Sequence, residues 1–249
     1  MINPSDPSRA EPEPSDVVWL FKVDGGATVR WDWSNGCPPL RQLLPHRSPK
    51  ARAFAKNAPA LVFSYTVADH LLVESGLERE LVEELDGDPG VSWLVAQPLE
   101  LHFLSDGRRV QRHIPDLLGL AGDRVTVWDA RPRERQDAAF QRLATWTDSA
   151  CSEVGWKYQV FAGHQPVRRV NGLWLAAYRH APVCIEAYAD VIRQGIEDGT
   201  IRGVGDVAAR DRGYGQLIAA MYHLLWARRL ACDLDQPITP STSLSWAGK

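Results

Sequence analysis

From residue 74 onward the apolar positions settle into alternating helical and strand periods. Ser75 reads as a helix N-cap with Glu78 three residues on as its capping-box partner, and Leu77, Leu81, Val82 and Leu85 then share one helix face until Gly87 and Pro89 stop it. Val91–Phe103 reads as a strand interrupted by Pro98. Beyond the turn Ser105-Asp106-Gly107, Val110–Leu120 is a second strand. After Gly122-Asp123, Arg124–Ala130 is a third, with the β-rich run Val-Thr-Val-Trp. Glu134–Val154 puts Phe140, Leu143, Thr147, Cys151 and Val154 on one helix side, Gly155 ends it, and Tyr158–Ala162 is a further strand.

The flanks differ. Residues 1–16 are polar with several prolines and read as a disordered tail. Val17–Val23 and Ala27–Trp33 are short β-rich runs around Asp24-Gly25-Gly26, a hairpin signal. Gly36–Ala58 has little periodicity and Leu61–Val67 is strand-like, so 17–67 is expected to be an N-terminal β-rich extension. Downstream, Trp174–Tyr178, Cys184–Ile196, Val207–Arg210 and Tyr214–Arg228 read as helices, and Leu230–Leu234 and Ser243–Trp246 as short strands. The predicted fold class is therefore α/β: a mixed sheet flanked by helices over 68–180, with the element order of a restriction-endonuclease-like core. A mostly helical, winged-helix-like C-terminal domain follows over 181–249, the boundary lying near His180.

Composition narrows the class. The chain has 249 residues, 45% of them hydrophobic, which suffices for one or two full cores. Net charge is −3, which argues against a freestanding DNA-binding module. The positive residues are mostly arginines in clusters: Arg108, Arg109 and Arg112; Arg131, Arg133 and Arg135; Arg168 and Arg169; Arg228 and Arg229. Such clusters fit phosphate contacts or simply a composition rich in arginine codons. Cys37, Cys151, Cys184 and Cys232 form no C-x-x-C pair, so neither a zinc site nor a disulfide framework is indicated. No apolar run approaches the ~20 residues of a bilayer span, and the N-terminus has no signal-like segment. Those features predict a cytoplasmic protein with no membrane partner.

Three acidic residues carry the candidate chemistry. Glu78 lies on the first core helix, Asp116 follows Pro115, and Asp129 and Arg131 close the third strand on one face. The spacing is Pro-Asp, twelve residues, then Asp-x-Arg, a variant of the nuclease pattern Pro-Asp, spacer, (Asp/Glu)-x-Lys. Hydrolysing a phosphodiester needs a positioned water and neutralised phosphoryl charge, which a hard divalent cation on carboxylates supplies. Alone the pattern is weak, and a strand-end carboxylate paired with a nearby arginine is its plain alternative. Arg79, Arg112 and His113 neighbour the acids and are candidate DNA contacts. Arg112 reads equally as a partner of a surface acid, and His113 as a satisfied loop histidine. Trp156 and Tyr158 read as core before base-stacking residues, and Gln97-Pro98 as a structural turn or the edge of the active site.

The surrounding stretches make the pattern specific. They are Glu74-Ser75-Gly76-Leu77-Glu78-Arg79, Asp88-Pro89, Gln97-Pro98, His113-Ile114-Pro115-Asp116, Asp129-Ala130-Arg131-Pro132 with Glu134-Arg135, Gly155-Trp156-Lys157-Tyr158, and Trp174 to His180. In this order, over residues 60 to 180, the chain resembles the actinobacterial TnsA-like endonuclease subunits of heteromeric transposases. The resemblance implies that Glu78, Asp116 and Asp129 are catalytic metal ligands for Mg²⁺, with Mn²⁺ as substitute. It implies that Arg131 occupies the family's lysine position, where a permanently charged side chain cannot act as a general base. It further implies cleavage at the 5′ ends of a mobile element in double-stranded DNA. The partners would be a DDE-type, TnsB-like transposase and a TnsC-like ATPase regulator, the latter near the C-terminal region. Two rivals stand beside it: a catalytically weak or inactive assembly subunit, which Arg131 favours, and a freestanding restriction or repair nuclease, for which no basic recognition stripe is seen.

Overall fold

A computed structural model of the chain describes residues 13–23, 25–46 and 59–247. The expected tail up to residue 12, the turn residue Asp24 and the aperiodic stretch 47–58 lie outside the described residues. The fold is mixed α/β, with six α-helices among the described residues. No helix among them is long and apolar enough to cross a membrane. The chain divides into two compact units, Met1–Glu78 with Ser92–Ala162, and Arg79–Val91 with Gly163–Lys249.

The first unit contains β1 (Asp16–Lys22), β2 (Thr28–Arg30), β3 (Ala60–Ser64), β4 (Asp69–Val73) and the start of α1 (Gly76–Asp86). Then come β5 (Trp93–Ala96), β6 (Leu99–Ser105), β7 (Arg108–His113), β8 (Leu117–Ala121), β9 (Arg124–Ala130), α2 (Ala138–Glu153) and β10 (Lys157–Phe161). They form two four-stranded sheets, ordered β2-β1-β6-β7 and β10-β9-β8-β5, beside a β3–β4 hairpin. β5, β8 and β9 run antiparallel, while β10 returns parallel to β9 after the α2 crossover.

Two strand runs are each split at a proline, the first where an interruption was expected and the second where a single strand was. The run 91–103 divides into β5 and β6 at Pro98, and the run 110–120 divides into β7 and β8 at Pro115; in both cases the halves belong to different sheets. Proline lacks the N–H a ladder needs, so it marks where the chain leaves one sheet for the other. Gln97, just before Pro98, takes a left-handed backbone (φ +48°) at this crossing.

The N-terminal segment is part of the core instead of an appendage. Trp19 and Phe21 of β1 are buried against Leu99, Leu101 and Phe103 of β6, with Trp146 and Cys151 of α2 in the same cluster. Trp156 stacks edge-on against Trp19 at 5.5 Å and Trp33 at 5.3 Å, which settles it as core. Residues 13–16 of the expected tail also join this unit: Glu13 accepts a hydrogen bond from Trp146 Nε1 at 2.7 Å, and β1 begins at Asp16. Burial of the Cys151 thiol pushes its pKa up to about 12, so it packs as an inert apolar group.

In the β8–β9 pair, Gly119 leaves space for the Trp128 ring. A Cβ there would lie 2.9 Å from Trp128 Cζ3 and 3.1 Å from Leu94 Cδ2. Gly119→Ala is therefore expected to cost ~1–3 kcal/mol by overpacking, read as a lower urea midpoint at unchanged slope.

The second unit holds the rest of α1, then α3 (Pro166–Ala176), α4 (Ile185–Glu197), α5 (Val204–Arg210), α6 (Gln216–Trp226) and a ribbon of β11 (Leu230–Ala231) with β12 (Ser245–Trp246). Leu175 of α3 is buried with Ile192, Val207, Met221 and Leu224. That packing assigns α3 here, so the units divide at Ala162, ahead of the boundary expected near His180. Two arginine clusters are used internally in this unit. Arg168 and Arg169 pair with Glu84 and Glu80, and Arg228 and Arg229 pair with Glu84, Asp88 and Glu186. Asp211 accepts from the N–H groups of Gly215, Gly213, Leu217 and Ile218 at the start of α6; these bonds, that of Gly215 foremost, hold its carboxyl below the usual range.

Candidate active site

The site lies at one end of the β10-β9-β8-β5 sheet. Register sets Leu117 opposite both Ala96 and Trp128, so Asp116 stands one step beyond, opposite Gln97 on one side and Asp129 on the other. Asp116 is bound on both sides: its N–H donates to Trp128 O at 2.9 Å, and its carbonyl accepts from Gln97 N–H at 2.9 Å. Its side chain stays in the same corner, where Oδ2 accepts from Ala130 N–H at 2.7 Å.

Asp129 is 4% exposed. Alternation along β9 puts it on the face of Val125 and Val127, which line the core beneath α2. Its Oδ2 accepts from the Tyr158 hydroxyl. Burial, with Asp129 close by, pushes the Tyr158 phenol far up, so it stays a donor. His113 Nε2 also lies 2.9 Å from Asp129 Oδ2, without the alignment of a proper hydrogen bond.

Glu78 arrives on the first turn of α1 and is buried. Ser75 Oγ accepts from Glu78 N–H at 3.1 Å, as an N-cap does, while Glu78 Oε2 accepts from Glu74 N–H at 2.8 Å, one residue before the N–H that a capping box would use. The cap orients the glutamate, and Glu78 acts on Asp116 through its charge.

The electrostatics follow from this crowding. Burial pushes the Asp116 carboxyl up to about 8, with the neighbouring charges of Asp129, Glu78 and Glu74 adding to it; the Ala130 N–H pulls the other way and is outweighed. Among the described residues no lysine or arginine is ion-paired with Asp116 or Asp129. The cluster thus gathers hard oxygen donors in a buried corner, a composition suited to Mg²⁺ or Mn²⁺. Asp116, Asp129 and Glu78 are the residues that would hold such an ion. Among the described residues no three His, Cys, Asp or Glu side chains stand as a preformed cage, so the three would have to close around it.

The other sequence candidates divide. His113 is drawn into the site at Asp129. Arg131 is not: its Nε donates to Arg135 O at 2.9 Å and its guanidinium lies 5.2 Å from the centre of the Phe140 ring. Arg79 forms a surface pair with Glu83 at 2.7 Å. Arg112 lies 3.4 Å from Glu100, a buried acid that also contacts His102 at 2.6 Å and His46 at 2.8 Å. Burial alone would raise the Glu100 carboxyl; the bond from His102 and the nearby Arg112 overturn that and hold it low.

Two further residues lie at the site that the sequence weighed in other terms, Tyr158 as core or base-stacking and Gln97 as a structural turn or the edge of the active site. Tyr158 was readable in principle, because it alternates with Val160, whose partner in the register is Asp129. Gln97 is the other. It is 1% exposed, and among the described residues neither Oε1 nor Nε2 has a hydrogen-bond partner. No protein-family model matches the chain, and no curated protein sequence matches it.

Proposed function

We propose that the chain is a divalent-metal-dependent DNA endonuclease with a restriction-endonuclease-like first unit, serving as the 5′-end-cleaving subunit of a heteromeric transposase. One observation carries the nuclease reading. Asp116, Asp129 and Glu78 crowd one buried sheet end with, among the described residues, no lysine or arginine ion-paired with either aspartate, and Asp116 is pushed up to about 8. Three acids forced together at a cost in stability are characteristic of a site that awaits a cation. A bound Mg²⁺ would neutralise phosphoryl charge and lower the pKa of water. For the chain's own part, Asp116 and Asp129 would fix the ion, Tyr158 and His113 would orient Asp129, and the Ser75 cap would orient Glu78. The transposase setting, with a TnsB-like DDE transposase and a TnsC-like ATPase regulator, rests on the sequence resemblance alone.

The test is nick mapping on DNA carrying the element's ends, with the DDE-type transposase and Mg²⁺ or Mn²⁺ present. Wild type is expected to nick the 5′ strands, and Asp116→Ala to nick them at least ~100-fold more slowly. Equal rates from the two proteins would overturn the assignment. A second reading, an assembly subunit without catalysis, is favoured by Arg131, whose guanidinium is engaged at Arg135 and Phe140. It predicts no nicks from wild type while the transposase still cuts its own strand.

A further inference from the structure

Gln97 combines two unfavourable features. Its backbone is in the left-handed region (φ +48°), which disfavours any residue with a side chain. Its side-chain amide is buried with both polar atoms unpartnered, which forfeits hydrogen bonds that water would provide. The backbone explains where the residue is. Gln97 N–H donates to Asp116 O at 2.9 Å, and its carbonyl accepts from His46 N–H at 2.7 Å. Neither bond needs a glutamine side chain, and methionine or leucine would fill similar volume without stranding a donor and an acceptor. What glutamine alone adds is a neutral group that can give one hydrogen bond and take another. It does so opposite Asp116, in the same cross-strand row as Asp129.

A phosphodiester and its attacking water need that pairing. The phosphate offers only acceptors and the water offers donors. A third carboxylate at this position would repel the phosphate, whereas an amide does not. We propose that Gln97 is a substrate-contacting residue of the carboxylate site: once DNA binding opens the buried corner, Nε2 donates to a phosphate oxygen of the strand, and Oε1 accepts from the attacking water. Its backbone bond to Asp116 ties the main chain at Gln97 to the strand end that carries the acid. The assignment rests on the nuclease reading above.

The experiment compares full-length wild type, Gln97→Met and Asp116→Ala. It measures melting temperature, Mn²⁺ affinity by electron paramagnetic resonance, and kcat and KM for nicking in the presence of the transposase. Gln97→Met is expected to melt at or above the wild-type temperature, since it removes two stranded polar atoms. It should bind Mn²⁺ within about twofold of wild type and nick with kcat lower by about tenfold or more. A wild-type kcat in Gln97→Met overturns the proposal, and so does a melting temperature several degrees lower, which would make the amide structural. If wild type nicks and Asp116→Ala does not, while Gln97→Met matches wild type, only the Gln97 role falls. If wild type neither binds Mn²⁺ nor nicks, the nuclease reading falls and takes the Gln97 role with it.

Discussion

Asp116→Asn is expected to stabilise the metal-free protein at pH 8 while abolishing its response to divalent cations. Asn keeps the shape of Asp and an oxygen for the Ala130 N–H, and it removes the charge that Asp129, Glu78 and Glu74 oppose. The sign follows from proton counts. The unfolded carboxyl loses its proton near 3.8, and the folded one keeps it up to about 8. Between those values the native state binds more protons than the unfolded state, so the contribution of Asp116 to stability is full below pH 4 and is lost as pH rises through 8. The gain from Asn is therefore absent at pH 4, grows through neutrality and levels off above 8. It should reach ~2–5 kcal/mol, or about 5–15 °C in melting temperature. Paired thermal melts of the two proteins from pH 4 to 9 measure it. A constant offset between them would show that Asp116 is not titrating in this window.

The same charge makes the cation response specific. A divalent ion binding the ionised cluster raises native stability by about 1.4 kcal/mol for each tenfold excess over its dissociation constant. Wild type at pH 8 should melt higher with added Mn²⁺, and Asp116→Asn should not. At pH 5 the response of wild type should shrink, because the ion must compete with the proton on Asp116. This readout needs neither DNA nor a partner protein.

Much of the fold was legible in local pattern, and the parts that were not share a cause. The period-3.6 runs placed α1, α2, α4 and α6 to within a few residues, because each carries a continuous apolar face; the start of α2 was read at Glu134, ahead of its cap Asp137, and its end at Gly155. The β8–β9 hairpin followed from Gly122, which takes a positive φ of 59°. Pairing between sheets was not legible. Nothing in Val17–Val23 states that Phe21 will sit opposite Leu99, 78 residues later in the chain, so β1 read as an extension instead of a core strand. Asp116, Asp129 and Glu78 were found from type and spacing. The crowding of Asp116 by Asp129 depends on the β8–β9 register, and that hairpin was the local part of the problem. Gln97 was the difficult case. A glutamine before proline left a turn and the edge of the active site equally open, and the burial of the amide is a fact of the fold that local pattern does not carry.

Arg131→Lys is expected to raise 5′-strand nicking by about tenfold or more over wild type. Arg131 stands two residues after Asp129, just past the end of β9, and on the proposed nuclease reading this is where a cation would face the phosphate. Its head group is committed elsewhere, through Nε to Arg135 O and through its plane to the Phe140 ring. Both contacts depend on the planar guanidinium. Lysine has a compact ammonium on a flexible stem, keeps neither contact well, and can turn toward the carboxylates and the phosphate. Little stability is at stake, because the Arg135 carbonyl belongs to an exposed residue that water can serve, and the change should stay within ~1 kcal/mol. Arg131→Ala is the control. If the guanidinium is idle, alanine nicks like wild type and lysine exceeds both. If alanine falls below wild type, Arg131 already serves the phosphate despite its resting contacts, and lysine should then bring no gain. If none of the three nicks while the partner transposase cuts its own strand, the carboxylate cluster binds its ion for assembly and not for hydrolysis. The Mn²⁺ response of Asp116 would survive that outcome, since it reports the ion alone.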